Sequence, residues 1–251
     1  MAQVPAAERT IAVLRHLAAQ SRPVPAAAIA RDLDLPRSST YHLLTTLADV
    51  GFVTHLPEER TWALGPGAFE LGQAYLHARP LARLARPVLH RLAHDTGIPA
   101  HLAVLDGREI VYLVTERPPQ APPLVVDVGV RLPAHLTASG RALLADQSLA
   151  QVRATFPDRA SLPLRTDVGP RTPTELRRLL ERVRVDGVGR EDGEIDRRLA
   201  SVAVAARDHA GRAEAALTLT FVAADHDQAS RQHLAELARS AAGDLTARLG
   251  G

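Results

Sequence analysis

The sequence contains no cysteine and no lysine, and both absences limit what the chain can be. Without cysteine there are no disulfides, no thiolate metal ligands and no cysteine nucleophile, which excludes several classes of enzyme. All 30 basic residues are therefore arginine, and the net charge of +2 is only a weak indication of nucleic-acid binding. No apolar run approaches the roughly 20 residues needed to span a bilayer, and residues 1–15 lack the layout of a signal peptide. We expect a cytoplasmic protein with no membrane partner.

Residues 1–64 carry a pattern of short helices followed by a hairpin. Apolar residues recur at three- and four-residue spacing over residues 10–20, which predicts a helix. Two prolines, Pro23 and Pro25, interrupt that helix, and a second helix is predicted over residues 25–33. Pro36 can begin a third helix, which Gly51 ends as a C-terminal cap. Strands over residues 52–55 and 61–64 would complete a winged helix-turn-helix domain.

The third helix has a small, polar outer face that can enter a major groove of DNA. At about 100° per residue, its leucines fall on one side and its hydroxyl and imidazole groups fall on the other. The candidate DNA-contacting residues are Arg37, Ser38, Ser39, Tyr41, His42 and Thr45, with Arg60 at the tip of the wing. An ordinary amphipathic helix has the same pattern. Six arginines balance six acidic residues over residues 1–64, so the prediction depends on the pattern and not on charge.

Two segments resemble the isocitrate lyase regulator (IclR) family of bacterial transcription regulators. The first is Leu35-Pro36-Arg37-Ser38-Ser39-Thr40-Tyr41-His42-Leu43-Leu44-Thr45-Thr46-Leu47, followed by Gly51-Phe52-Val53 and Trp62-Ala63-Leu64-Gly65. The second is Leu132-Pro133-Ala134-His135-Leu136-Thr137-Ala138-Ser139-Gly140-Arg141-Ala142-Leu143-Leu144-Ala145. The resemblance implies a linker helix over residues 65–79 and a homodimer or homotetramer, in which the first and fourth helices help to form the dimer.

Residues 80–251 alternate between helical and strand patterns and are predicted to form a second domain. Helices are predicted over residues 81–97, 172–186 and 227–249. Asp106-Gly107-Arg108 indicates a hairpin, further strands are predicted over residues 201–206 and 213–221, and another lies around residues 124–127. These elements predict the α+β class, with helices on a face of an antiparallel sheet. The resemblance implies that this domain is GAF-like and binds an effector.

The segment over residues 132–145 is the centre of the predicted effector pocket. Small residues at Ala138, Ser139 and Gly140 would leave free amides at a helix N-terminus, which suit a carboxylate, although a plain helix cap looks similar. The resemblance implies a pocket lined by Leu124, Leu132, Ala138, Ser139, Glu191, Leu199, Ser201, Thr218 and Thr220. Asp192 or Glu194 could take the place of Glu191. An organic acid or an aromatic catabolite is the effector that the family suggests.

We therefore predict a regulator of a catabolic operon that binds double-stranded operator DNA under the control of a small molecule, with no cofactor and no catalysis. It could repress or activate. An enzyme is the competing hypothesis, because serines, histidines and carboxylates are present, but no recognised catalytic motif is. A metal site at His90, His94 and His101 has no acid placed to complete it, and we expect solvent-facing histidines. A sensor that acts by protein contact, with its winged helix used only for dimerisation, is the third hypothesis.

Overall fold

The chain divides into two compact units, Met1–Arg79 and Pro80–Gly251. The computed structural model describes residues 4–78, 81–119 and 126–250. The boundary that the sequence predicts, at Arg79-Pro80, lies outside these ranges, as does Leu124 of the predicted pocket. In the parts of the chain that are described, no helix has the length and apolar character needed to cross a membrane.

The first unit is a winged helix-turn-helix, as predicted. Its elements are α1 (Pro5–Ala18), β1 (Val24–Pro25), α2 (Ala26–Asp32), α3 (Arg37–Asp49), β2 (Val53–Leu56), β3 (Thr61–Leu64) and α4 (Pro66–Ala78). The strands form an antiparallel sheet in the order β1-β3-β2. Apolar faces of the first three helices meet the wing in one core, which buries Val13, Ile29, Leu44 and Trp62. Only β1 was not predicted, and its proline is tolerated because β1 is an edge strand.

The second unit is a six-stranded antiparallel sheet with helices on both faces, which confirms the α+β class. Its elements are α5 (Leu81–Thr96), β4 (Ala100–Asp106), β5 (Glu109–Glu116), β6 (Arg131–Pro133), α6 (Ala138–Leu144), α7 (Leu149–Thr155), α8 (Pro173–Asp186), β7 (Gly189–Asp192), β8 (Leu199–Arg207), β9 (Ala213–Val222) and α9 (Gln228–Arg248). The strand order is β6-β5-β4-β9-β8-β7.

Alternation along the strands gives this sheet two separate cores. On β9, Leu217 and Leu219 face the core formed with α5 and α9, whereas Ala216 faces the core formed with α6 and α8. Alanine on the second face lets α6 lie close to the central strands. Both faces of the sheet are therefore covered, and the candidate site lies on the α6 face.

Two details of the sheet differ from the prediction. Val126 and Asp127 do not belong to a strand, and the edge next to β5 is formed by β6 instead. Gly129 adopts a positive φ of 83°, so the chain turns before it can pair regularly with β5. The opposite edge strand, β7, was not predicted at all.

Candidate functional site

In the first unit, the outer face of α3 is the candidate DNA-binding surface. Arg37, Ser38, Tyr41, His42 and Thr45 are exposed on this face, and Ser39 is half-buried. The opposite face of the helix is held in the core by the fully buried side chains of Thr40 and Leu44. The structure therefore leaves the predicted contact residues accessible along one side of the helix.

The turn between α2 and α3 fixes how the recognition helix begins. Asp34 adopts a left-handed conformation with φ of 52°, and the Leu35 amide donates to the carbonyl of Ala30 at 2.8 Å. Pro36 precedes the helix, and its carbonyl accepts a hydrogen bond from Thr40 Oγ1 at 3.1 Å. These local bonds place Arg37 and Ser38 in the first turn of α3.

The wing combines one buried aromatic residue with a charged tip. Trp62 is only 6% exposed, and its ring lies 4.3 Å from that of His55, so it belongs to the core. Glu58, Glu59 and Arg60 are exposed at the tip, where Arg60 has a left-handed φ of 53°. A phosphate contact from Arg60 would have to overcome repulsion by the two neighbouring carboxylates.

In the second unit, a small buried cavity lies between the sheet and the start of α6. Its volume of about 20 Å³ is room for roughly one water molecule. The lining combines apolar, hydroxyl and carboxyl side chains. It consists of Tyr112, Val126, Leu132, Thr137, Ala138, Glu191, Ile195, Leu199, Ser201, Thr218 and Thr220. We name this space the inner cavity.

Most of the residues predicted for the effector pocket meet at the inner cavity. They are Leu132, Ala138, Glu191, Leu199, Ser201, Thr218 and Thr220. Ser139 is buried on α6 but is not part of the lining, and Leu124 lies outside the described residues. Sequence reasoning missed Tyr112, Val126, Thr137 and Ile195. The alternation along β5 could have identified Tyr112, because it shares a face with Ile110 in the α6-side core.

The start of α6 is fixed by a helix cap and by a close backbone approach. Thr137 Oγ1 accepts a hydrogen bond from the Gly140 amide at 3.1 Å, so this amide belongs to a helix cap, the alternative that the sequence left open, and is not free for a ligand. A Cβ on Gly189 of β7 would lie 2.1 Å from the carbonyl oxygen of Ala138. Only glycine therefore allows β7 to lie this close to the first turn of α6.

Hydroxyl groups make the sheet side of the inner cavity polar. Ser201 Oγ and Thr220 Oγ1 lie 3.1 Å apart on paired strands, so one hydroxyl donates to the other. Thr218 is 1% exposed, and its Oγ1 has no hydrogen-bond partner among the described residues. An unpartnered buried hydroxyl is costly, so Thr218 is suited to bind a polar atom of a ligand or a water.

Glu191 is the acidic residue of the inner cavity. Its Oε1 accepts hydrogen bonds from the amides of Glu194 at 2.9 Å and Ile195 at 3.2 Å. Burial raises the pKa of Glu191 to about 7, and the nearby Glu194 adds to this effect. Glu191 therefore titrates near neutral pH, and in its protonated form it can donate a hydrogen bond to a ligand.

The other two acids that could have lined the pocket are paired with arginines. Asp192 forms an ion pair with Arg231 at 2.6 Å. Glu194 forms an ion pair with Arg141 of α6 at 2.6 Å, and both of these side chains are at most 9% exposed. The structure thus favours Glu191 over its neighbours as the carboxyl group that faces a ligand.

A wide groove lies along β7, the edge strand that ends the sheet. Its volume is about 910 Å³, and its walls come from α8, β7, β8 and α9. Glu191 and Ser201 line both this groove and the inner cavity, while Arg141 and Glu194 line the groove alone. We name this space the edge groove.

The histidines that suggested a metal site do not come together. His90 and His94 are exposed on α5, with side chains at least 74% accessible. His101 is buried on β4, where burial lowers its pKa to about 3. Among the residues that the structure describes, no group of three potential ligands could hold a metal ion.

Comparison with known proteins gives family matches over nearly all of the chain. The helix-turn-helix domain of IclR matches residues 6–57, and the bacterial transcriptional regulator IclR C-terminal domain matches residues 73–247. The Pca regulon regulatory protein of Pseudomonas putida is 33% identical over 84% of this chain and 72% of its own length. The HTH-type transcriptional repressor AllR of Salmonella typhi is 30% identical over 98% of this chain and 90% of its own length.

A solved structure of an IclR homologue is also similar to nearly the whole chain. It is an IclR homologue from Microbacterium hydrocarbonoxydans complexed with 4-hydroxybenzoate. It superposes with a TM-score of 0.82 at 26% identity, and the match covers 98% of this chain and 99% of the homologue.

Proposed function

The chain belongs to the IclR family of bacterial transcriptional regulators, and from this premise we propose where it binds its two ligands. The outer face of α3 reads operator DNA, and the inner cavity binds a small-molecule effector that controls this reading. The observation that carries this proposal is the cavity itself, because hydroxyl and carboxyl groups surround a space with room for about one water.

DNA recognition rests on the exposed polar residues of α3. Ser38, Tyr41, His42 and Thr45 can hydrogen-bond base edges in the major groove, and Arg37 in the first turn can pair with a phosphate. Ser39 is half-buried, so less of it is available to DNA than of its exposed neighbours on α3. Arg60 contributes a backbone contact from the wing.

Effector recognition rests on the hydrogen-bonding groups of the inner cavity. Thr218 offers a hydroxyl that has no hydrogen-bond partner within the described parts of the chain, and Glu191 can accept or donate a hydrogen bond because its pKa is about 7. A small organic acid or aromatic acid fits this chemistry, in agreement with the 4-hydroxybenzoate bound to the solved homologue. Such a ligand is larger than one water, so binding must enlarge the cavity.

The effector shifts a population of conformations and undergoes no chemistry. Among the residues that the structure describes, Ser201 forms a hydrogen bond with Thr220 and with no histidine, so we do not expect it to act as an activated nucleophile. We propose that the protein is not an enzyme, that it acts in the cytoplasm, and that a homodimer or homotetramer places recognition helices on two half-sites.

Binding to the DNA upstream of the protein's own gene tests this function. Fluorescence anisotropy at about 50 and 200 mM salt, with scrambled competitor, measures specific and salt-dependent binding. The double variant Ser38→Ala/His42→Ala should bind this DNA at least tenfold more weakly. The matched variant His233→Ala/Ser240→Ala, which changes exposed residues of α9, should bind as the wild type does.

Addition of 4-hydroxybenzoate and related acids then tests the effector site. A change in DNA affinity that Thr218→Val abolishes supports the inner cavity as the site. Absence of specific DNA binding by a folded protein, with or without these acids, would contradict the proposal and favour a sensor that acts by protein contact.

A further inference from the structure

The buried ion pair between Arg141 and Glu194 joins two different walls of the inner cavity. Arg141 belongs to α6, whose first turn provides Ala138 as lining. Glu194 belongs to the turn between β7 and β8, which provides Ile195, and β8 begins directly after this turn with Leu199, another lining residue. Neither charged side chain lines the cavity itself, so the pair acts from behind the two walls.

Each partner also binds the backbone of the opposite or adjacent segment. Arg141 donates from Nε to the carbonyl of His135 at 3.0 Å and from a terminal nitrogen to the carbonyl of Arg190. The second carboxylate oxygen of Glu194 accepts from the Asp192 amide. The pair therefore ties the segment before α6, the strand β7 and the following turn together with charge-assisted hydrogen bonds.

The two ends of β7 are held against α6 in different ways. At the Gly189 end, the backbones approach so closely that even a Cβ would not fit. At the far end, Arg141 and Glu194 make the connection through side chains, whose bonds can lengthen or exchange. Separation of the walls would thus begin at the turn over residues 193–198, with Gly189 as the fixed end.

We infer that the Arg141–Glu194 ion pair is a latch that keeps the inner cavity small, so that it selects effectors by size. This inference rests on the proposed function, because it assigns the latch to the effector site. A ligand larger than the present 20 Å³ must move the turn away from α6, and part of its binding free energy is spent on opening the latch. Arg141 and Glu194 are positioning residues, since neither touches the cavity.

Glu194→Gln weakens the latch while it keeps the size of the side chain. The matched control is Asp192→Asn, which removes the charge of a carboxylate at the end of β7. The ion pair that this change breaks, between Asp192 and Arg231 of α9, does not connect the two walls of the inner cavity. Glu194→Asp is the second variant, because it keeps the negative charge but has a shorter side chain that reaches Arg141 less well. It provides the test if Glu194→Gln does not fold. Full-length proteins are used throughout.

Tyr112 reports directly on occupancy because it lines the cavity. Labelling with 3-fluorotyrosine gives resonances from the 3 tyrosines, and the Tyr112 resonance is assigned with Tyr112→Phe. Acetate and benzoate are titrated as a small and a large probe. The measured quantity is the ratio of their dissociation constants in each variant.

Release of the latch should favour the larger probe. We expect Glu194→Gln to lower the benzoate dissociation constant relative to that of acetate by about tenfold, which corresponds to the loss of one charged hydrogen bond. Asp192→Asn should leave the ratio unchanged, and Glu194→Asp should give an intermediate ratio. General destabilisation would weaken both probes together and would not change their ratio.

Binding of both probes to the wild type with an unchanged ratio in the Glu194 variants would overturn the latch and leave the effector site intact. The same holds if Asp192→Asn changes the ratio as much as Glu194→Gln does. If neither probe shifts the Tyr112 resonance in any variant, the latch and the proposed effector site are both overturned.

Discussion

Replacement of Glu191 by glutamine should stabilise the second unit, relative to the wild type, more at high pH than at low pH. Burial raises the pKa of Glu191 from 4.5 to about 7 in the folded protein. The unfolded state therefore releases this proton at lower pH than the folded state does. Between about pH 4.5 and pH 7 the free energy of unfolding of the wild type falls as pH rises. The stability that comes from the proton on folded Glu191 is fully present only below that window.

The size of the effect follows from the two pKa values. A difference from 4.5 to about 7, at about 1.4 kcal/mol per pKa unit, means that ionised Glu191 costs about 3 kcal/mol above pH 7. Glutamine avoids this cost, and its carbonyl oxygen can still accept from the amides of Glu194 and Ile195. We expect the stability gain of Glu191→Gln to be about 2 to 3 kcal/mol larger at pH 8 than at pH 5.

Urea unfolding of the full chain at pH 5, 6, 7 and 8 measures this gain. Fluorine resonances of labelled Tyr112 follow the unit that contains Glu191, while fluorescence of Trp62, the one tryptophan of the sequence, follows the other unit. Glu236→Gln, an exposed change on α9, is the control. A stability gain that does not change with pH, or that Glu236→Gln reproduces, would refute the assignment of the raised pKa to burial of Glu191.

Three further substitutions test the geometry of the two sites. Arg37→Ala should weaken binding to all DNA sequences alike and reduce the slope of log affinity against log salt by about one, in anisotropy titrations, if Arg37 contacts a phosphate. Gly189→Ala should lower the free energy of unfolding by about 2 kcal/mol or more in urea, because its Cβ would lie 2.1 Å from the Ala138 carbonyl oxygen. Thr137→Ala should cost about 1 kcal/mol in the same assay through loss of the cap on α6, whereas Thr137→Ser should cost less.

The recognition helix could be predicted because its signals are local. Proline at position 36 and glycine at position 51 bound α3, and the helical spacing of Leu44 and Leu47 alone assigns the buried side. The exposed face then follows by geometry. The same holds for α8, where Thr172 caps the helix and Gly187 ends it in a left-handed conformation.

The inner cavity could be predicted only in part because its walls come from distant segments. Alternation alone could place Thr218 and Thr220 on one face of β9. Which residues lie beside them, such as Ser201 opposite Thr220, depends on how the strands pair. Tyr112 reaches the same cavity from β5. The alternation along β5 indicates that Tyr112 is buried, but it does not indicate which residues of other strands lie next to it. The family resemblance supplied the residues that periodicity could not connect.

Neither the strand β7 nor the burial of Arg141 could be predicted from the sequence. The strand Gly189–Asp192 carries no large apolar side chain, so no alternation marks it. In the sheet formed by the described residues it is an edge strand, so its outward backbone groups have no neighbouring strand to bind, and such an edge can pair with another chain. Arg141 donates to the Arg190 carbonyl and Glu194 accepts from the Asp192 amide, so a buried ion pair takes the place of the missing strand. Arginine on a helix is usually exposed, and only the position of this edge explains why Arg141 is 3% exposed.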